Sequence, residues 1–388
     1  MAMASPKTSH DNWGTPPWVI DFAPPAQPLP READIVIVGA GFTGLAAAAW
    51  LRLLDPRRSV VVLEAGRIGH GASGRTGGLA LAETAAGDLP GLGDVLAGVQ
   101  KIFARLAIDC DLALPGAWEI ARRGGAENSP IHWRDSGTLR VVKEVPGGTL
   151  DPGKLVSGLA RAAHERGAII LENHRVLDVK WGARPVLSVA QGAAAAATGE
   201  ISAAKTVFAV NALSLELSGL TSAFEPKLTL ATVTAPLADE QLTALGLGLN
   251  KPFYTVDLPY LWGRTRSDKS IVWGAGLLEP PDSGDLEQVS VSSQEAARIF
   301  ANFEKRVRGL HPAAASVEFT HHWGGPIIFR EDWGGEPVFD WHPRAARKHA
   351  LVIGAFAGHG VALSNYLGAW AAEILLARRE LPSWGKFS

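Results

Sequence analysis

Two kinds of hydrophobic pattern divide this chain. In the first, short apolar runs carry no polar position between them: Asp34-Ile-Val-Ile-Val38, Val60-Val-Val-Leu63, Ala168-Ile-Ile-Leu171, Thr206-Val-Phe-Ala-Val210 and Ala350-Leu-Val-Ile353. Such runs predict strands buried on both faces, as in a parallel sheet covered by helices. The helices have matching signals. Leu45 to Leu54 is rich in alanine and leucine, Asp151-Pro152 opens a helix that runs to Arg166 and stops at Gly167, and a long helix follows Val361 and runs to Arg379.

In the second pattern apolar and polar residues alternate. Lys227 to Leu237, Tyr260 to Arg266 and Ser270 to Gly274 read this way, the last two joined by a turn at Ser267 to Ser270. Alternation predicts an antiparallel, half-buried sheet. Asn173 to Trp181, Ser136 to Val142 and Val317 to Trp323 read as further strands, and Gln191 to Gly199 as a hairpin loop. Ser292 to Arg308 reads as a helix with Ala297, Phe300 and Phe303 on one face. Leu79 to about Arg123 reads as helical, broken between Gly87 and Gly93.

The fold class these patterns predict is α/β: a Rossmann-like dinucleotide-binding domain with a second, antiparallel-sheet domain, both discontinuous. Residues 34–85, 150–215 and 340–382 make the first, and 86–149 and 216–339 the second. Residues 1–33 are a proline-rich arm whose Trp13, Trp18 and Phe22 are expected to anchor it across the body. A chain of 388 residues is ample for two domains.

Composition narrows the function by exclusion. The formal net charge is −2, which offers no electrostatic footprint for nucleic acid or an anionic membrane. Cys110 is the only cysteine, so no internal disulfide or cysteine-rich metal site can form. The N-terminus has no continuous apolar stretch, and no uninterrupted apolar run is long enough to span a bilayer. The expectation is a soluble, cytoplasmic protein.

The chemistry is concentrated between Asp34 and Gly78. Gly39-Ala40-Gly41-Phe42-Thr43-Gly44 joins the first strand to the first helix, and Glu64 ends the second strand. Gly39 permits the tight turn, Gly41 lets the backbone approach a pyrophosphate, and Gly44 lets helix pack on strand. Glu64 is placed to accept hydrogen bonds from a ribose. Beyond it, Arg67 to Gly78 is a run of small residues, including Gly71, Ala72, Ser73, Arg75, Thr76 and Gly77. Such a run is either a surface loop or main chain laid along a long ligand; an NAD site needs no such extension, whereas a flavin dinucleotide reaching further across the domain could use one. Gly354 to Val361 repeats the logic of strand end, glycines and helix N-terminus.

With those motifs, and with Leu150-Asp-Pro152, His322-Trp-Gly-Gly325 and Gly358-His-Gly-Val361, the chain resembles the flavin-dependent amine and amino-acid oxidoreductases of the D-amino-acid oxidase superfamily. That group includes glycine oxidase and sarcosine oxidase, and its gamma-glutamylputrescine oxidase branch looks nearest in the flavin loop and the Trp-Gly-Gly segment. The resemblance implies extended FAD, with adenosine near Glu64 and Val176, pyrophosphate at Gly39, Gly41, Phe42, Thr43 and Gly44, and Ser73 to Gly77 near the ring system. Ala65, Arg67, Gly71, Ala72, Ala209, Asn211, Gly358, Gly360 and Val361 complete the implied cofactor set. It further implies hydride transfer from an amine to flavin N5, with O2 or another acceptor, on a small-molecule amine or amino acid.

Two departures from the family stand out. No cysteine lies between Gly324 and Phe339, which excludes the thioether link of some relatives, so the implied FAD is noncovalent; His70 is the remaining attachment candidate. Ala362 stands where such relatives carry a substrate-binding lysine, and no lysine adjoins Val272 or Trp273. Both weaken an N-methylglycine substrate and fast reaction with oxygen. Tyr260, Trp262 and Arg264 alternate and are expected to share a substrate-facing side, an aromatic pair with a guanidinium able to hold a carboxylate bidentately; the alternative is sheet packing with Arg264 in a salt bridge. His359 is expected to order the flavin turn or to act at the reacting centre, Arg75 to shape the flavin loop, and Arg330 with Trp333 to cover the entrance. His321 and His322 point to opposite faces of a strand, so no metal site is expected. The competing readings are an NAD-dependent dehydrogenase and a non-catalytic flavin-binding regulatory protein. The oligomeric state is left open.

Overall fold

A computed structural model describes residues 12–220, 224–281, 285–330, 335–345 and 347–387. Two eight-stranded sheets carry the fold. In the first, Ala350–Gly354, Gly199–Phe208, Glu32–Val38, Val60–Leu63 and Ile169–Leu171 lie side by side, every neighbouring pair parallel. Val338–Trp341 closes one edge antiparallel to Ala350–Gly354. His174–Lys180 and Val186–Gln191 fold back on Gly199–Phe208 as an antiparallel meander.

The apolar runs are buried on both sides, as their composition predicts. Ile35, Ile37, Val60 and Val62 face a layer of helices formed by Phe42–Leu54, Val95–Leu106, Pro152–Glu165 and Gly360–Leu375. Val36, Val38, Val61 and Leu63 point the other way, into the core under the meander. Phe42–Leu54 is buried along ten consecutive residues, and Gly368 of the last helix crosses it so closely that a Cβ there would lie 2.6 Å from the Thr43 carbonyl oxygen. Asp151 caps Pro152–Glu165 by accepting from the Lys154 amide at 2.8 Å.

The second sheet runs in the order Phe319–Arg330, Phe224–Thr234, Ile271–Leu278, Trp262–Thr265, Phe253–Thr255, Ala117–Ala121, Thr138–Val145, Trp133–Arg134. All its pairs are antiparallel except Phe253–Thr255 with Ala117–Ala121.

Several expectations from the pattern need correction. Leu79 to Arg123 is helical only over Val95–Leu106; Leu79–Leu81 pairs with Gly147–Thr149, and Ala117–Ala121 lies between two strands of the second sheet. Alanine, tryptophan and glutamate give that segment a helical look, and pairing on both edges overrides it. In the helix Gln294–Leu310 the core face is Ala296, Phe300, Phe303, Val307 and Leu310, whereas Ala297 is exposed. The last helix ends at Leu375 rather than Arg379. The strand expected from Val317 starts at Phe319 and continues through Gly324-Gly325-Pro326 to Arg330, because it pairs with Phe224–Thr234 along its length.

Candidate active site

Because five neighbouring strands of the first sheet are parallel, their carboxyl ends open on one edge. There Gly39, Glu64, Ala209 and Ala355 leave the sheet together. Gly39 has φ +101°, and a Cβ on it would stand 2.7 Å from the Ala209 carbonyl oxygen; only glycine fits. A Cβ on Gly44 would lie 2.0 Å from the Gly39 carbonyl oxygen, so the first helix sits directly on its strand.

The polar groups at this edge are held in place by one another. Ser73 Oγ accepts from the Phe42 amide at 2.8 Å, tying the small-residue loop to the helix N-terminus. Glu64 accepts from the Ala40 amide at 2.8 Å and from the Gly66 amide at 2.9 Å, which fixes its carboxylate at the strand end. Burial raises the Glu64 pKa above the usual carboxylate range, against the pull of those amides. Asn211 Oδ1 accepts from the Ala355 amide at 2.9 Å and so joins two strand ends. The turn after it runs through Ala355, Ala357 and Gly358 in the left-handed region and delivers Gly360 and the buried Val361 to the start of the last helix.

Against this edge lies one face of the second sheet. Register places Trp262 opposite both Gly274 and Tyr254, and Arg264 opposite Val272. The loop Gly69 to Gly78 and the segment leading on to Glu83 run over that face. A Cβ on Gly77 would meet the Trp262 ring at 2.2 Å, and one on Gly78 would meet the Arg264 guanidinium at 3.1 and 3.2 Å. Glycines here let main chain lie directly on an indole and a guanidinium.

Arg264 is the unusual group. It is 6 % exposed, its Nε donates to the Gly77 carbonyl, and its Nη2 is buried with no partner. No carboxylate pairs with it among the described residues, so the salt-bridge alternative does not hold there. Burial holds its pKa down at about 10, still charged at neutral pH. An unpaired buried cation is costly, and an anion brought to it would relieve that cost.

The structure separates the other expected residues. Tyr260 precedes the strand Trp262–Thr265, is 53 % exposed and gives its carbonyl to Arg306, so the shared face holds Trp262 and Arg264 without it. His359 turns its Nδ1 to the Ala357 carbonyl at 3.2 Å and orders the turn. Arg75 is consumed by carbonyls: His70 through Nε, and Gly14, Trp13 and Gly324 through Nη1. His322 pairs with Glu304 at 2.6 Å while His321 is exposed, and among the described residues no cluster could hold a metal. Ala65 and Arg67 are exposed, Gly71, Ala72 and Thr76 are half-buried, and Val176 is buried in the meander. Arg330 lies over the Phe224 ring, and Trp333 falls outside the described residues.

Sequence reading missed Tyr254. Its hydroxyl donates to Glu83 and lies 3.1 Å from Glu119 Oε1, with burial and both carboxylates raising its pKa. Its strand, Phe253–Thr255, has three residues, too few to show a period.

This edge of glycines, helix N-terminus and carboxylate is a dinucleotide cradle, and the residues present fit an FAD. The comparisons agree. The family model described as "FAD dependent oxidoreductase" matches residues 34–374, and the chain belongs to that family, named after D-amino-acid oxidase. It is similar to a probable oxidoreductase OrdL of Rhizobium meliloti (strain 1021), 24 % identical with 91 % of this chain and 85 % of that one covered. Gamma-glutamylputrescine oxidoreductase of Escherichia coli (strain K12) is 25 % identical over 88 % of this chain and 83 % of its own. Among solved structures, glycine oxidase from Geobacillus kaustophilus superposes with a TM-score of 0.69 at 19 % identity, covering 92 % of this chain and 97 % of that one. The protein is therefore an FAD-dependent oxidoreductase, and the family sets aside the NAD-dependent reading. Among the described residues no helix is long and apolar enough to cross a membrane.

Proposed function

We propose that this oxidoreductase oxidises the C–N bond of a primary or secondary amine or amino acid. The chemistry that a flavin supplies when bound is acceptance of a hydride from the carbon bearing the nitrogen; water then hydrolyses the resulting imine to a carbonyl compound and an amine or ammonia. The observation that carries the reading is Arg264, a buried guanidinium with an unpartnered Nη2, beside the flavin loop on the same sheet face as Trp262.

In this reading Gly39 to Gly44 and the helix they open hold the pyrophosphate, Glu64 the ribose, and Ser73 to Gly77 the ring system, with no covalent link. Cys110, the one thiol, is buried in the helical layer. Arg264 binds the substrate carboxylate, Trp262 forms an apolar wall against the carbon chain, and the Gly77 carbonyl keeps the guanidinium in place. The gamma-glutamylputrescine oxidoreductase relative supports an amine as the group oxidised. The acceptor is O2 or another oxidant, and the absence of a lysine beside Val272 or Trp273 favours slow reaction with O2. Turnover of the holoenzyme with a panel of amines, amino acids and N-methyl amino acids, an artificial dye acceptor and a carbonyl trap tests the proposal. A trapped aldehyde or keto acid supports it; dye reduction by none of the panel counts against it.

A further inference from the structure

The family match starts at residue 34, and the arm before it makes contacts that family membership does not explain. From Asn12 to Phe22 the chain crosses three parts of the molecule in turn. Trp13 is fully buried, with its Nε1 donating to the Leu286 carbonyl at 3.2 Å, and Gly14 bridges to Trp323 of the second sheet. Gly14 has φ +70°, and a Cβ there would stand 2.2 Å from the His322 carbonyl oxygen. Trp18 packs edge-on against Trp323 with ring centres 5.4 Å apart, and its Nε1 donates to the Gly74 carbonyl at 2.7 Å. Ile20 lies 3.0 and 3.1 Å from where Cβ atoms on Gly69 and Gly74 would be, and the Asp21 amide donates to Ser157 Oγ at 2.9 Å, on a helix of the first layer.

The middle of this path lies on the small-residue loop. Gly74 and Arg75 are its points of attachment: Trp18 binds the Gly74 carbonyl, Arg75 Nη1 reaches the Gly14 carbonyl at 2.6 Å, and the Trp323 indole donates to the Arg75 carbonyl at 2.9 Å. Ser73, next in the chain, is the residue whose hydroxyl binds the Phe42 amide at the helix N-terminus. The arm, the loop and the pyrophosphate turn are thus one connected set of hydrogen bonds.

We infer that residues 12–22 are a strap that closes the small-residue loop over FAD and sets how long the noncovalent cofactor is retained. Trp18 and Gly14 are its positioning residues. The inference concerns the cofactor alone and stands whichever substrate is oxidised. Trp18 is the sharper probe, because replacing it with phenylalanine keeps a ring against Trp323 and removes the N–H, leaving the Gly74 carbonyl unpaired. Gly14 is the second, because any side chain forces the bridge to Trp323 apart. Val19 is a control, a residue 76 % exposed.

The test compares the full chain with Trp18→Phe, Gly14→Ala and Val19→Ala as holoproteins. FAD release is followed by the rise in flavin fluorescence after dilution, and the melting of each apoprotein by circular dichroism. The strap predicts release about tenfold faster in Trp18→Phe, the change that about 1.4 kcal/mol produces, and faster still in Gly14→Ala. Val19→Ala should match the parent, and Trp18→Phe should lower the melting point of the apoprotein by less than it lowers that of the holoprotein. Unchanged release in both strap variants would overturn the inference. So would a fall in apoprotein melting that accounts for the whole loss in the holoprotein, since the arm would then staple the fold and not the cofactor.

Discussion

The indole of Trp262 occupies the space that a side chain on Gly274 would need: Cε2 and Cζ2 lie 1.9 Å from where that Cβ would stand. The same ring is covered on the Gly77 side by the small-residue loop. A glycine of the loop and a glycine of the second sheet therefore fix one aromatic wall.

Gly274→Ala should push Trp262 toward the loop and misplace that wall. We expect kcat/KM to fall by roughly 100-fold, the scale on which an ångström of misplacement acts. Steady-state kinetics with an active amine check this; full activity would show that Trp262 does not border the reacting centre.

Arg264→Lys keeps a charge and removes the planar fork. KM should rise by about tenfold or more for a carboxylate-bearing substrate, since a hydrogen bond between charged groups contributes about 1.5–3 kcal/mol. For the same amine without its carboxylate the change should be small. Equal losses on both substrates would mean that Arg264 acts only through Gly77.

Glu64 accepts from two amides through its two separate oxygens, and a glutamine there would turn its NH2 toward one of those donors. Glu64→Gln should weaken FAD binding by about tenfold, the effect of losing one such charged hydrogen bond. Because burial raises this pKa, the ionised form in the native protein is lost on acidification earlier than for an ordinary carboxylate. FAD affinity of the parent should therefore fall as pH drops through that raised value, and the Glu64→Gln affinity should stay flat. Fluorescence titration across mildly acidic pH distinguishes the two.

Burial pushes the Cys110 thiol up to about 12, with Asp109 and Asp111 adding to the shift. The reactive thiolate forms only as pH approaches that value, so at pH of about 8 the native protein should resist iodoacetamide and the urea-unfolded chain should react. Mass spectrometry of both reads the result; fast native labelling would place Cys110 outside the core.

How much of this was legible depended on the range of the interactions. The cofactor strands could be read because burial on both faces leaves an unbroken apolar run, and the glycines could be read because the close approaches at Gly39 and Gly44 are local. The shared face of Trp262 and Arg264 was found by alternation, a property of their own strand. Tyr254 was not, since its meaning comes from Glu83 and Glu119, far off in sequence. Tyr260 failed for the converse reason: the alternation extends past the strand into a segment held by Arg306. Arg75 was expected to shape its own loop, but its bonds to the Trp13 and Gly14 carbonyls could not be read, because those partners come from an arm about sixty residues earlier in the chain.

The most direct test of the central claim is an anaerobic titration of the holoprotein with a panel of amines and amino acids, followed at the flavin band near about 450 nm. The account predicts that at least one compound bleaches the band stoichiometrically, with a carbonyl product released, and that admitting air restores the colour slowly. A flavoprotein that no amine bleaches, but that NADH or NADPH reduces, would contradict it.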